Sequence, residues 1–279
     1  MRCAVLGDPI GHSLSPVLHR AAYDALGLDW TYDAIRVPSG GLADFLEGLD
    51  DTWRGLSLTM PLKREAIALL TSRDPWADLA GAANTVLLDA NGRHGLNTDV
   101  PGGIAALRAA TDATLAHAVV LGGGATATSM LLALTELGCR RATLVVRDPG
   151  RAGEALAAVA RHPKAPEVEV TTFADLAGWG EADVLVSTVP AEAQSPEVVA
   201  AASGVRVVFD VVYDPWPTPL ALATRGVGHT LVGGLDLLLW QAVDQVRAMT
   251  GRFDVPVAEM RAAGRAGLAE RSRRGSSDR

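Results

Sequence analysis

Of the 25 basic residues in this chain only two are lysines, Lys63 in Leu58-Thr59-Met60-Pro61-Leu62-Lys63 and Lys164 in His162-Pro163-Lys164. Arginine fills the other cationic positions. A guanidinium stays protonated at any working pH, whereas an amine can release and regain a proton when its surroundings tune it. Lys164 reads as a surface residue. Lys63 sits in a proline-punctuated turn amid compact polar residues, which makes it the first candidate for an acid–base group.

Four polar clusters stand near it in sequence: Gly11-His12-Ser13-Leu14-Ser15-Pro16, Ser57-Leu58-Thr59-Met60-Pro61-Leu62-Lys63, Ala83-Asn84-Thr85 and Asn97-Thr98-Asp99. Each follows or flanks an apolar run of strand character, so all four can converge at one edge of a sheet, where α/β folds bind ligands. Ser13 and Ser15 can donate to a carboxylate at the start of the Pro16 helix, and Ser15 before Pro16 also reads as a helix N-cap. Hydroxyls, a carboxamide, an ammonium and a carboxylate together suit a small polyhydroxylated acid. A Lys63–Asp99 pair is a workable proton-transfer unit for a carbonyl becoming an alcohol. Taken singly, each cluster is ordinary turn chemistry.

Further on, Gly122-Gly123-Gly124-Ala125-Thr126-Ala127 matches Gly-x-Gly-x-x-Ala between an apolar strand and a helix. The first glycine permits a tight turn and the second lets backbone approach a pyrophosphate. The small Ala127 allows helix and strand to pack closely, while the helix N-terminus faces the phosphates. The following strand ends in Val146-Arg147-Asp148, with Arg151 three residues later. Two arginines there suit the 2′-phosphate of NADP rather than the 2′-hydroxyl of NAD.

The elements that must hold these residues alternate. Strands are expected at 2–6, 31–36, 55–58 and 83–88, with amphipathic helical stretches at 16–26, 41–49 and 62–70 between them. A helix at 102–110 leads into a strand at 117–121, a helix at 126–137 closed by Gly138, and a strand at 141–146. A helix at 153–160 and strands at 184–187 and 205–210 follow, then long helices at 235–249 and 257–268 and a polar, frayed tail from 270. Alternation of this kind predicts α/β architecture with largely parallel sheets. The expected organisation is two-domain. A discontinuous N-terminal α/β substrate-binding domain comprises 1–101 and 235–270, with a Rossmann-type dinucleotide-binding domain, 102–234, inserted in it. A flexible tail covers 271–279.

At 279 residues there is ample chain for two cores, and a net charge of −7 with pI near 5.4 argues against nucleic acid as a partner. Cys3 and Cys139 lie in apolar contexts and read as buried free thiols, and the histidines show no metal-ligand spacing. The opening apolar run is too brief for a signal peptide and none is of transmembrane length, so a soluble cytoplasmic protein is expected. Monomer and homodimer are both open.

The chain resembles the shikimate dehydrogenases over nearly its full length. The motifs that carry the likeness are residues 7–16, 58–63, 81–85 and 97–99, the run Asp210-Val211-Val212-Tyr213-Asp214-Pro215-Trp216-Pro217-Thr218-Pro219-Leu220, and the late Gln241. The run from Tyr213 to Leu220 is especially like actinobacterial members. The resemblance implies reversible NADPH-dependent reduction of the C3 ketone of 3-dehydroshikimate, a step toward aromatic amino acids. It implies that Ser13 and Ser15 hold the substrate carboxylate, that Thr59, Asn84 and Gln241 bind ring hydroxyls or the carboxylate side, and that Tyr213 closes the pocket. Lys63 and Asp99 become the catalytic pair, and the cofactor contacts are Gly122, Gly123, Gly124, Ala125, Thr126, Ala127, Arg147, Arg151 and Gly234. Three positions depart from the family pattern: Ser57 where asparagine is frequent, Val146 and Asp148 flanking Arg147, and Val100-Pro101 after Asp99 where glycine is frequent. The rival readings are an NAD-dependent quinate/shikimate dehydrogenase and a non-catalytic ligand-sensing relative.

Overall fold

The computed structural model describes residues 1–176, 178–225 and 228–277, with 272 and 274–277 described by their backbone. The chain divides into two compact units, Met1–Thr98 with Leu238–Arg279, and Asp99–Leu237. The fold is α/β with one six-stranded sheet in each unit.

The first unit runs β1 (Arg2–Gly7), α1 (Ser15–Ala25), β2 (Thr31–Arg36), α2 (Leu42–Glu47), β3 (Trp53–Leu58), α3 (Leu62–Glu65), β4 (Ser72–Arg73), α4 (Pro75–Ala80), β5 (Thr85–Asp89) and β6 (Gly92–Leu96). Its strand order is β2-β1-β3-β5-β6-β4. β1 pairs in parallel with β2 and β3, but β5 is antiparallel to both β3 and β6. This sheet is therefore mixed, against the expectation of a largely parallel one. The cause is a hairpin in which Asp89 pairs with Gly92, Asp89 Oδ1 accepts from Asn91 N at 2.7 Å, and Gly92 takes φ 126°. The two connecting residues are Ala90 and Asn91, and the positive φ after them falls on Gly92, which has no Cβ to oppose it. Alternate side chains of β1, β3 and β5, among them Leu6, Leu56, Leu58 and Val86, bury against Leu42, Leu46 and Leu62 from the helices. Each such aliphatic side chain contributes about 1.5–3 kcal/mol on burial.

The second unit is α5 (Asp99–Ala110), β7 (His117–Leu121), α6 (Ala125–Glu136), β8 (Arg141–Val146), α7 (Gly153–Ala160), β9 (Glu167–Thr172), β10 (Val184–Ser187), α8 (Pro196–Ala201), β11 (Val207–Asp210), α9 (Pro219–Thr224) and β12 (Thr230–Gly233). All pairings are parallel in the order β12-β11-β10-β7-β8-β9. The order runs outward from β7 and β10 in both directions. That places a topological switch point beyond the carboxyl end of β7, at the glycine loop. α10 (Gly234–Thr250) then leaves this unit and enters the first, and α11 (Val257–Ser277) ends the described chain. α10 seats on β3, where Arg54 Nε donates to Met249 O at 3.0 Å and a Cβ on Gly55 would lie 2.8 Å from Met249 Cγ.

Several boundaries move for identifiable reasons. α5 begins at Asp99 rather than at residue 102, because Pro101 falls in the first turn, where a missing N–H costs nothing. The stretch 62–70 splits into α3 and a 3₁₀ turn, Ala66–Leu69. Ser15 is not the N-cap but the first residue of α1, and its N–H donates to Ser13 Oγ at 3.3 Å. α11 continues through the expected frayed tail to Ser277. No proline interrupts it, and Arg271 donates to the carbonyls of His12 and Ser13. Residues 278 and 279 of that tail lie outside the described residues. Cys3 and Cys139 are buried free thiols, and burial pushes the Cys139 thiol up to about 11. Among the described residues no helix is long and apolar enough to cross a membrane.

His19 on α1 is wholly buried. Its ring stacks on Tyr32 at a centroid distance of 3.9 Å, Nδ1 lies 2.9 Å from Ser15 O, and Nε2 has no partner among the described residues. Burial lowers its pKa from 6.5 to about 4. Between these values the unfolded chain binds the proton and the native one does not, so stability rises with pH. The imidazole's contribution is complete above 6.5 and is lost as pH falls toward 4. Between about pH 7.5 and pH 5 urea unfolding should lose roughly 2 kcal/mol of stability through this group. Burial raises the carboxyls of Asp74, Asp210 and Asp244, which act oppositely at lower pH. The comparison is therefore with His19→Gln, and equal pH slopes in the two proteins would contradict the assignment.

Candidate active site

In the first unit the hairpin solves a positioning problem. β1 and β3 run in parallel and end together at Gly7 and Leu58. β5 runs the other way, so its beginning and the end of β6 lie at that same edge: Thr85 pairs with Ser57 and with Leu96. Asn84 sits there, its carbonyl accepting from Leu58 N at 2.7 Å and its N–H donating to Leu96 O at 3.0 Å. One sheet edge thus gathers residues 59–63, Asn84 and residues 97–98.

The loops beyond that edge are tied to it. Thr59 N donates to Leu6 O at 2.9 Å, and Asp8 N donates to Met60 O at 2.9 Å, joining the segment after β3 to β1. Lys63 lies half-buried on α3, and its carbonyl accepts from Ala83 N at 2.8 Å, next to Asn84. Glu65 on the same short helix accepts from Gly40 N at 2.8 Å and Leu42 N at 3.0 Å, so α3 is anchored to the start of α2. Ser13 is half-buried and Ser15 is 4% exposed.

Asn84, Thr98 and Gln241 meet directly. Asn84 Nδ2 donates to Thr98 Oγ1 at 2.9 Å and to Gln241 Oε1 at 3.3 Å, while Asn84 Oδ1 accepts from Thr98 N at 2.8 Å. Gln241 Nε2 donates to Leu238 O at 2.8 Å, which fixes the direction of its amide. All three are at least nine-tenths buried, in surroundings where an unpaired amide costs about 1–3 kcal/mol. Three buried residues that sequence reasoning did not single out stand behind them, Tyr32, Thr85 and Gln245, together with Ser57, which the sequence marked as a departure from the family pattern. Thr85 fell inside a motif without a role of its own. Gln245 had a readable signal, since it follows Gln241 by one helical turn on an otherwise apolar face.

The second unit holds the rest. The glycine loop begins where Gly122 turns with φ 109°, a value that L side chains rarely adopt, and a Cβ there would lie 2.4 Å from Thr188 Oγ1. A Cβ on Gly123 would meet the Arg151 carbonyl at 2.8 Å, so the loop and the Arg151 backbone lie against each other, whereas one on Gly124 would meet nothing within 4 Å. Open space before Gly124 and the first-turn N–H groups of α6, from Ala125 and Thr126 on, make an anion cradle, with Ala127 fully buried against the sheet. Arg147 and Arg151 are exposed, and among the described residues neither is in an ion pair. The Asp148 carboxylate accepts from Gly150 N at 2.9 Å and caps its own turn. These residues fit a dinucleotide carrying a phosphate beyond β8.

Tyr213 stands half-buried in the loop after β11. The root of that loop is Asp210, fully buried, accepting from Thr218 Oγ1 at 2.5 Å and from Gln194 Nε2 at 2.9 Å. Burial raises the Asp210 carboxyl above the ordinary range, and its hydrogen bonds oppose that rise. Gly234 opens α10 where a Cβ would lie 2.3 Å from Val211 O, so its place is set by close backbone approach to this loop. Asp99 is buried as the first residue of α5.

Residues 5–86 match the family model described as the shikimate dehydrogenase substrate binding domain. The shikimate dehydrogenase (NADP(+)) of a Synechococcus species is 34% identical over 280 residues, covering 95% of this chain and 94% of the relative. The crystal structure of Mycobacterium tuberculosis shikimate dehydrogenase matches with a TM-score of 0.85 at 38% identity, over 95% of this chain and 99% of that one. That of the Thermus thermophilus enzyme in complex with NADP(H) and shikimate matches with a TM-score of 0.80 at 31% identity, over 96% and 99%. Likeness of this extent, across both units and nearly end to end, means that the chain belongs to the shikimate dehydrogenase (NADP(+)) family.

Proposed function

We propose that this protein interconverts 3-dehydroshikimate and shikimate in the aromatic amino acid pathway, using NADPH in the reductive direction. The observation that carries this reading is the gathering of Asn84, Thr98 and Gln241 with the residue 59–63 loop at one sheet edge, in a chain whose family reduces this ketone. In our assignment the first unit is the substrate domain and the second holds the cofactor.

Ser13 and Ser15 take the substrate carboxylate beside the start of α1. Thr59, Asn84 and Gln241 take ring hydroxyls, and Tyr213 covers the substrate. Gly122, Gly123, Gly124, Ala125, Thr126 and Ala127 cradle the pyrophosphate, Gly234 admits the cofactor by having no side chain, and Arg147 and Arg151 hold the 2′-phosphate. When bound, the reduced cofactor supplies a hydride. Lys63 gives a proton to the oxygen that gains negative charge, and Asp99 serves as its partner in moving that proton.

The test follows reduced-nicotinamide absorbance with shikimate or quinate, each with NADP⁺ or NAD⁺. Turnover confined to shikimate with NADP⁺ is expected. Preference for quinate or NAD⁺ would instead favour the catabolic relatives, and folded protein inert in all four mixtures would point to a ligand sensor.

A further inference from the structure

We infer that Gln245 and Thr85 are positioning residues for the substrate site, acting through a one-way series of hydrogen bonds that fixes the Asn84 carboxamide. The inference rests on the reading of Asn84 as a substrate-binding residue. Neither group belongs to the set assigned to the substrate above, and both lie behind it.

The direction of the series follows from groups that can only donate or only accept. Gln245 Nε2 lies 3.3 Å from the Asn84 backbone carbonyl, which can only accept. Gln245 therefore turns its Oε1 toward Ser57, and Ser57 Oγ donates to it at 2.9 Å. With its one proton committed, Ser57 accepts from the Tyr32 hydroxyl at 2.5 Å. On the other side Gln245 Nε2 donates to Thr85 Oγ1 at 2.9 Å, so the single Thr85 proton goes to Asn84 Oδ1 at 3.0 Å. The Thr98 backbone N–H reaches the same oxygen.

Two donors thus hold Asn84 Oδ1 and turn Nδ2 toward Thr98 and Gln241. Ser57, Thr85 and Gln245 are each at most 3% exposed, and the series crosses from α10 through β3 to β5. A carboxamide gripped this way does not flip and holds Nδ2 on the side of Gln241, the other amide assigned to the substrate, and such preorganisation lowers the cost of binding. Ser57 thereby has a role here as the relay between Tyr32 and Gln245 rather than as a ligand contact.

Three variants of the full chain test this. Thr85→Val keeps the shape and suits a strand but removes the proton aimed at Asn84. Thr85→Ser restores that proton. Gln245→Glu cannot donate to Thr85, so the Thr85 proton turns away from Asn84. Thr85→Val and Gln245→Glu should each raise KM for shikimate about tenfold, with kcat and KM for NADP⁺ within about twofold. Thr85→Ser should return KM to within about twofold of the native value. In an Asn84→Ala background Thr85→Val should have no further effect on KM.

A normal KM in both Thr85→Val and Gln245→Glu would overturn the inference. So would a KM rise that Thr85→Ser fails to rescue or that persists undiminished without the Asn84 carboxamide. An Asn84→Ala enzyme with normal KM would instead remove the premise that Asn84 binds substrate. Should one variant be recovered unfolded, the other reads the same proton.

Discussion

Lys63→Ala should lower kcat by about 10³, within the range of about 10²–10⁴ for a positioned proton-transfer group, while shikimate binding weakens only several-fold. The expectation starts from the retention of an amine in an arginine-dominated chain and gains force from how Lys63 is held. Its helix is a single turn, too short to persist alone. The Glu65 carboxylate ties that turn to Gly40 and Leu42, and the Lys63 carbonyl is bonded to Ala83 next to Asn84. The amine is therefore presented from a backbone fixed at both ends, beside the amide cluster. Lys63→Arg separates charge from proton transfer: a guanidinium keeps the positive charge but does not release a proton at working pH. If Lys63 is the donor, the arginine variant stays slow while still binding shikimate. If it only polarises the carbonyl, arginine restores much of the rate. Stopped-flow binding, steady-state turnover and a melting curve on the same preparations decide this, and a native kcat in folded Lys63→Ala protein would falsify the assignment.

What could be read from the chain and what could not divides along physical lines. The glycine loop was legible because its demands are local: the positive φ at Gly122 and the small Ala127 under the sheet both write themselves into residue type. The parallel second sheet was legible for the same reason, since its β7, β8 and β10 are short apolar runs with helices between them. β6 was not, because Gly92-Arg93-His94-Gly95-Leu96 has almost no strand propensity and is held by pairing to β5 on one side and β4 on the other. Missing that strand concealed the reversal that brings Asn84 and Thr98 to one edge. Gln245 was legible only in part. Its place one turn after Gln241 on an apolar face marks it, but its partners emerge only when the helix is seen to lie on β3, where its amide bridges Ser57 and Thr85. The end of α11, from residue 270 on, passed for a tail because its last turns carry few apolar residues, yet Arg271 reaches back to the loop that bears Ser13. Long-range pairing decided each of these.

Removing both Arg147 and Arg151 should raise KM for NADP⁺ by about 100-fold and leave KM for NAD⁺ within about threefold. The two coenzymes differ only in the 2′-phosphate, so a group that acts on that phosphate alone must show its whole effect in the ratio. Each guanidinium can offer paired N–H groups to phosphate oxygens. Both side chains are exposed, so solvent and salt screen them, and about tenfold apiece is the appropriate scale rather than the larger value of a buried ion pair. A free Asp148 carboxylate beside them would repel the phosphate. The fold answers by engaging that carboxylate with Gly150 N, in the turn that leads to Arg151. Asp148→Ala should accordingly loosen this turn, raising KM for NADP⁺ slightly, whereas simple relief of repulsion would lower it. Ionic strength supplies an independent check, because raising salt should weaken NADP⁺ in the native enzyme more than in the double variant. Equal salt dependence in the two proteins, or an unchanged NADP⁺/NAD⁺ ratio, would place the phosphate elsewhere on the second unit.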